Sequence, residues 1–126
     1  RSDVEGVGMR VKTSELEGAA LDWAAGKAAG YVVYTQPDGP LYRPDNGKYW
    51  SPSIDWGQGG PLIDRYVGLT QYEGDRDPAE PFYAETRCEN MEAYANGETL
   101  LIAAMRAIVA AELGDEVDVP EELCSE

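Results

Sequence analysis

The residues best suited to recognition chemistry are concentrated in one stretch, KYWSPSIDWGQGGPLI at positions 48–63. Trp50 and Trp56 offer flat faces for stacking on a ring. Ser53, Asp55 and Gln58 carry donors and acceptors that can read a ligand's edge, and backbone amides at Gly59 and Gly60 can face an anion. A small ligand, nucleotide-like ones included, or a peptide is what such a set would take. The same residues have a plainer use, with the indoles as core and the glycines as turns. Geometry separates the two readings. A recognition loop turns at least two of Ser53, Asp55 and Gln58 toward one concavity beside an aromatic ring. A structural loop bonds them within the bend and buries Trp56. The stretch is not a P-loop, because it lacks the Gly-Lys-Ser/Thr ending.

Catalytic chemistry is far less legible. The chain has no histidine, which removes Ser-His-Asp and Cys-His catalysis, the usual near-neutral proton shuttle and most zinc sites. Asp55, Asp64 and many other acids allow a carboxylate pair, but their abundance makes that a weak signal for an enzyme. Asp75 and Asp77 resemble the opening of a calcium loop without its glycine at position six or its glutamate at twelve. The expectation is therefore a non-enzymatic protein with no metal and no cofactor. Cys88 and Cys124 lie far apart without Cys-x-x-Cys spacing and read as a reduced pair.

Ten basic residues stand against 24 acidic ones, a net charge of −14. Such a field opposes direct nucleic-acid binding, where each phosphate contact needs Lys or Arg. It suits solubility, a basic protein partner, or mimicry of nucleic-acid charge on a basic host surface. No apolar run approaches the roughly 20 residues of a membrane span. A length of 126 residues fits one domain. Residues 1–8 are polar and precede Met9, so they read as a leader or appended stretch, with a single domain over 9–126.

Around the aromatic stretch the pattern predicts an α+β fold: one small antiparallel sheet of three to five short strands with Tyr-rich hairpins, packed with two helices. The first helix is expected over about 14–29, with Ser14 and Glu17 as a capping box, Gly30 as its stop and Trp23 as a core anchor. Residues 31–35, 41–43 and 48–50 read as short strands separated by turn residues, with Tyr31, Tyr34, Tyr42 and Tyr49 supplying one face. Residues 51–61 read as an irregular loop, 62–67 as a strand, 68–81 as a flexible loop, 82–87 as a strand and 90–97 as a helical turn. The second helix runs over 100–113 between Thr99 and Gly114. Its apolarity on several sides leaves room for a homodimer contact. Arg106, its one central charge, must be paired, with Asp55 or Asp22 as candidate partners. Residues 114–126 read as an acidic extended tail.

Three blocks carry a resemblance: VKTSELEGAALDWA at 11–24, SPSIDWGQGGPLI at 51–63, and LIAAMR at 101–106 continuing to LGDEVDVP at 113–120. Together they resemble the NinX-like family of bacteriophage and prophage proteins of unknown function. Gly57 stands where the family pattern has Ala, and Ala107 where it has Cys. The resemblance implies expression in a bacterial host cytoplasm and carries over no catalytic residues. It frames two expectations. One is an accessory protein that binds a host protein, a peptide or a small ligand through residues 50–61. The other is an acidic inhibitor that occupies a basic surface of a host protein.

Overall fold

The computed structural model describes residues 8–36, 39–87 and 93–123. The order of elements is β1 (Gly8–Lys12), α1 (Gly18–Ala29), β2 (Tyr34–Gln36), β3 (Gly39–Arg43), β4 (Lys48–Trp50), α2 (Trp56–Tyr66), β5 (Val67–Tyr72), β6 (Phe82–Thr86), β7 (Tyr94–Gly97), α3 (Leu100–Leu113) and β8 (Glu116–Pro120). The fold class is α+β, as expected. In place of one sheet, the described residues form three small antiparallel sheets: β1-β8, β2-β3-β4 and β5-β6-β7.

Helix α3 is the centre of the core. The Thr99 side chain accepts from the Ile102 amide, and Gly114, with φ of 101°, ends the helix. Leu101, Met105, Ile108 and Val109 are buried along it, and Ala103, Ala104 and Ala107 let neighbours approach closely. The β5-β6-β7 meander, α1 and α2 all pack on α3. At Gly97 the approach is so tight that a Cβ would lie 2.6 Å from the Ala103 amide nitrogen. Small residues also dominate the buried face of α1, through Ala20, Ala24, Ala25 and Ala28.

Several local expectations yield to tertiary contacts. The first helix begins at Gly18 rather than at 14, because the Ser14/Glu17 capping box does not form. Thr13–Glu15 make a 3-10 turn instead, and Leu16 stays extended with its carbonyl accepting from Arg106. Residues 31–33 are not strand. The Tyr31 amide donates to the Gly26 carbonyl and closes the end of α1 after Gly30. Residues 56–66, expected as loop and then strand, are helix α2, whose N-cap is Asp55. The expected flexible segment 68–81 opens with strand β5, and the expected helical turn at 90–97 ends in strand β7. Within the acidic tail, Glu116–Pro120 pair with β1 from Lys12↔Glu116 to Gly8↔Pro120, so Gly8 belongs to the fold. Cys88 and Cys124 lie outside the described residues.

Helix α2 depends on a missing side chain. A Cβ on Gly59 would lie 2.5 Å from the Pro52 carbonyl oxygen and 2.6 Å from Leu101 Cδ2. One on Gly26 would meet only side-chain atoms, Val33 Cγ2 at 2.5 Å and Trp50 Nε1 at 3.0 Å. Gly59→Ala is therefore expected to destabilise by about 2–3 kcal/mol, because backbone must move. Gly26→Ala is expected to cost less, since Val33 can turn away. Thermal denaturation of the two variants checks the order.

Candidate functional site

Two places gather polar and aromatic groups. The first is the corner where β4 leads into α2. Trp50 sits against α1 and is only 3% exposed. Its indole Nε1 donates to the Asp22 carbonyl at 2.7 Å, and Tyr31 meets its ring edge-on at 5.4 Å. The Arg43 guanidinium lies 3.6 Å from the Tyr31 ring centroid and is held by Asp45, with Nε to Oδ1 at 2.9 Å. Tyr31 is thus an inner residue and not part of the exposed tyrosine face.

The polar residues of the corner are bonded within it. The Ser53 amide donates to Asp22 Oδ1 at 2.8 Å, and the Gly57 amide donates to Asp55 Oδ1 at 2.8 Å. Gln58 bridges the bend: its Oε1 accepts from the Ser51 amide and its Nε2 donates to the Tyr49 carbonyl, both at 2.6 Å. Gly59 is buried against Pro52, and its amide donates to the Asp55 carbonyl at 2.8 Å. Two large side chains go the other way. Trp56 is 57% exposed, with its ring edge over Gly60, and Ile54 is 78% exposed.

Of the residues singled out for ligand binding, Trp50, Ser53, Asp55, Gln58 and Gly59 hold the corner together, and Trp56 faces solvent above Gly60. Beside them, the register of β2-β3-β4 sets Tyr34 opposite Tyr42 and Tyr42 opposite Tyr49, so the three share one face. The opposite face turns Leu41 and Trp50 into the core. Tyr34 and Tyr49 are both more than half exposed.

The second place is a cleft of about 360 Å³ between the β1-β8 ribbon, β7 and α3. Arg106, 5% exposed, lines it. Arg106 Nε donates to the Leu16 carbonyl at 2.8 Å, while Nη1 reaches Glu80 Oε2 at 2.9 Å and the Asn96 carbonyl at 2.8 Å. The expectation of a paired arginine holds, but the carboxylate is Glu80 rather than Asp55 or Asp22. Trp23 is partly buried against the core, with Lys27 Nζ 5.2 Å from its ring. Nothing in the sequence pattern points to the cleft, because its walls come from distant segments brought together by β1-β8 pairing and by packing on α3. Among the described residues, no three Asp or Glu side chains converge to hold a metal ion, and no helix is long and apolar enough to cross a membrane.

A family model described as "Bacteriophage P22, NinX" matches residues 12–112. The chain belongs to that family. No curated protein matches it.

Asp22 carries the electrostatic strain of the corner. Burial pushes its carboxyl up to about 6, against the opposing pull of the Ser53 hydrogen bonds. An acid whose pKa is raised by folding adds stability below its unfolded value and loses it as pH climbs through the folded one. Asp22→Asn keeps an oxygen for the Ser53 amide and removes the charge. The variant is expected to gain on the parent between about pH 4 and pH 7, by up to about 3 kcal/mol. Urea unfolding of both proteins across that range checks it.

Proposed function

We propose that this phage-family protein is a non-enzymatic binding module that docks on a host protein through its exposed aromatic corner. One observation carries the reading: the Ser53 amide, Asp55 Oδ1 and both ends of the Gln58 amide are bonded within the bend, while Trp56 and Ile54 are left in solvent. Tyr and Trp are the side chains that most often anchor protein interfaces, since they bury much area with little loss of rotamer freedom. Tyr49, whose carbonyl is held by Gln58, continues the same edge toward Tyr42 and Tyr34. A protein or peptide surface suits such a set better than a small nucleotide-like molecule, which needs free polar groups around its ring.

The net charge of −14 favours a second reading, an acidic inhibitor or nucleic-acid mimic that covers a basic host surface. The two make different demands. Aromatic docking depends on a few side chains and persists in salt, whereas docking by overall charge is screened. Action in the bacterial host cytoplasm accompanies either reading.

The test uses the full chain with a photocrosslinking residue in place of Ile54, expressed in host cells. One predominant host protein is expected to crosslink. Trp56→Ala with Tyr49→Ser is expected to abolish that adduct while shifting stability by no more than about 1 kcal/mol, as exposed positions allow. An adduct that survives this double change but disappears at high salt transfers the function to the acidic surface. No adduct at all removes the docking reading.

A further inference from the structure

The cleft at Arg106 is separate from the aromatic corner and has the makings of a small-molecule site. Arg106 is nearly buried, yet its Nη2 makes no hydrogen bond among the described residues, while Nε and Nη1 are both fully engaged. A guanidinium presents five N–H donors, and an unfilled pair at a cleft is a seat for a carboxylate. Two further charges line the same space without a partner among the described residues, the Lys12 ammonium and the Asp115 carboxylate. Neither is drawn away. The nearby Glu116 is instead taken by Arg10, with Nε to Oε1 at 3.0 Å.

The walls therefore hold free positive and free negative groups within one volume of about 360 Å³. That size falls at the small end of ligand pockets. Tyr94 adds a flat apolar wall: it is 66% exposed, and its ring lies 5.9 Å from that of Tyr83. A phosphate dianion is a poor occupant, because Glu80 and Asp115 would repel it. A simple cation is also poor, because it would face Arg106 and Lys12. A molecule carrying both charges meets each with its opposite.

We propose that this cleft binds a zwitterionic α-amino acid with an aromatic side chain. Its carboxylate would sit between Arg106 Nη2 and Lys12, its ammonium would face Asp115, and its ring would lie on Tyr94. The arrangement needs no movement of Glu80, which remains on Arg106 Nη1.

The experiment is an NMR titration of the full chain with L-phenylalanine, following the Arg106 Nε–H resonance and the amides of Tyr94, Ala95 and Asp115. Phenylacetate and phenethylamine, each lacking one of the two charges, serve as paired probes. Saturable shifts at these positions are expected with L-phenylalanine, and markedly weaker binding with either paired probe. Lys12→Met and Asp115→Asn, both at exposed positions and so safe for folding, are each expected to weaken L-phenylalanine by about threefold to tenfold. Asp115→Asn should at the same time strengthen phenylacetate. Equal binding of phenylacetate and L-phenylalanine would overturn the zwitterion assignment. Absence of saturable shifts up to the solubility limit would overturn the site itself, and so would shifts confined to the Trp56 corner. Equal binding of phenylacetate and L-phenylalanine, or no saturable shift at all, leaves the docking face untouched, since it shares no residue with the cleft.

Discussion

A guanidinium taken out of water must be given partners, and the fold is arranged around giving them to Arg106. Its acceptors come from three separate segments: the Leu16 carbonyl ahead of α1, the Glu80 carboxylate ahead of β6, and the Asn96 carbonyl in β7. Each bond fixes one neighbour of α3 in place. Loss of one partner of a buried pair leaves an uncompensated charge, which costs several kcal/mol, whereas its presence adds little net stability. The arginine therefore acts more on the uniqueness of the arrangement than on its depth. Alternatives that shift α1 or the β5-β6-β7 sheet along α3 would strand it.

Asp22 does the same from within α1, at smaller scale. Its carbonyl receives the Trp50 indole and its carboxylate receives the Ser53 amide, so one residue of α1 fastens both ends of the Trp50–Ser53 turn. The turn then sets where α2 begins, through the Asp55 cap and the Gln58 bridge. Glycines make the closeness possible: Gly26 gives room to Trp50, and Gly59 gives room to Pro52 and Leu101. The result is a corner held from inside, with Trp56 and Ile54 left in solvent. Exposed aromatics on a firmly held bend lose little further freedom when a partner covers them, which is what a docking surface needs.

The two proposals would divide recognition between the corner and the cleft. The corner presents area and shape, with the protein's acidic field around it. The cleft presents charges of both signs in a small volume. Membership in the NinX family attaches the chain to a phage origin without attaching a reaction to either place. The two surfaces are built from different elements, one on β2-β3-β4 and α2 and the other between β1-β8, β7 and α3. Occupation of both at once meets no steric obstacle from a shared residue.

Much of the local structure was legible because local terms decide it. The Thr99 cap, the apolar run to Leu113 and the Gly114 stop define α3 within one segment. Turn residues bracket β3 and β4, and Phe82–Thr86 has strand composition. The need for Arg106 to be paired followed from the cost of desolvating a charge. Other features are decided by partners far away in the chain. Residues 56–66 contain glycines and Pro61, poor helix formers, and become helical because Asp55 caps them and Leu62 is buried. Tyr31 has strand chemistry but closes α1 and packs on Trp50. Ser14 and Glu17 match a capping box, but Leu16 gives its carbonyl to Arg106 instead. The acidic tail becomes a strand because β1, more than 100 residues away in sequence, supplies its ladder. Glu80, Lys12, Tyr94 and Asp115 reach one cleft for the same reason. Sequence patterns carry the energies of neighbours within a few positions, and only the folded chain brings together groups whose pairing has no local signal.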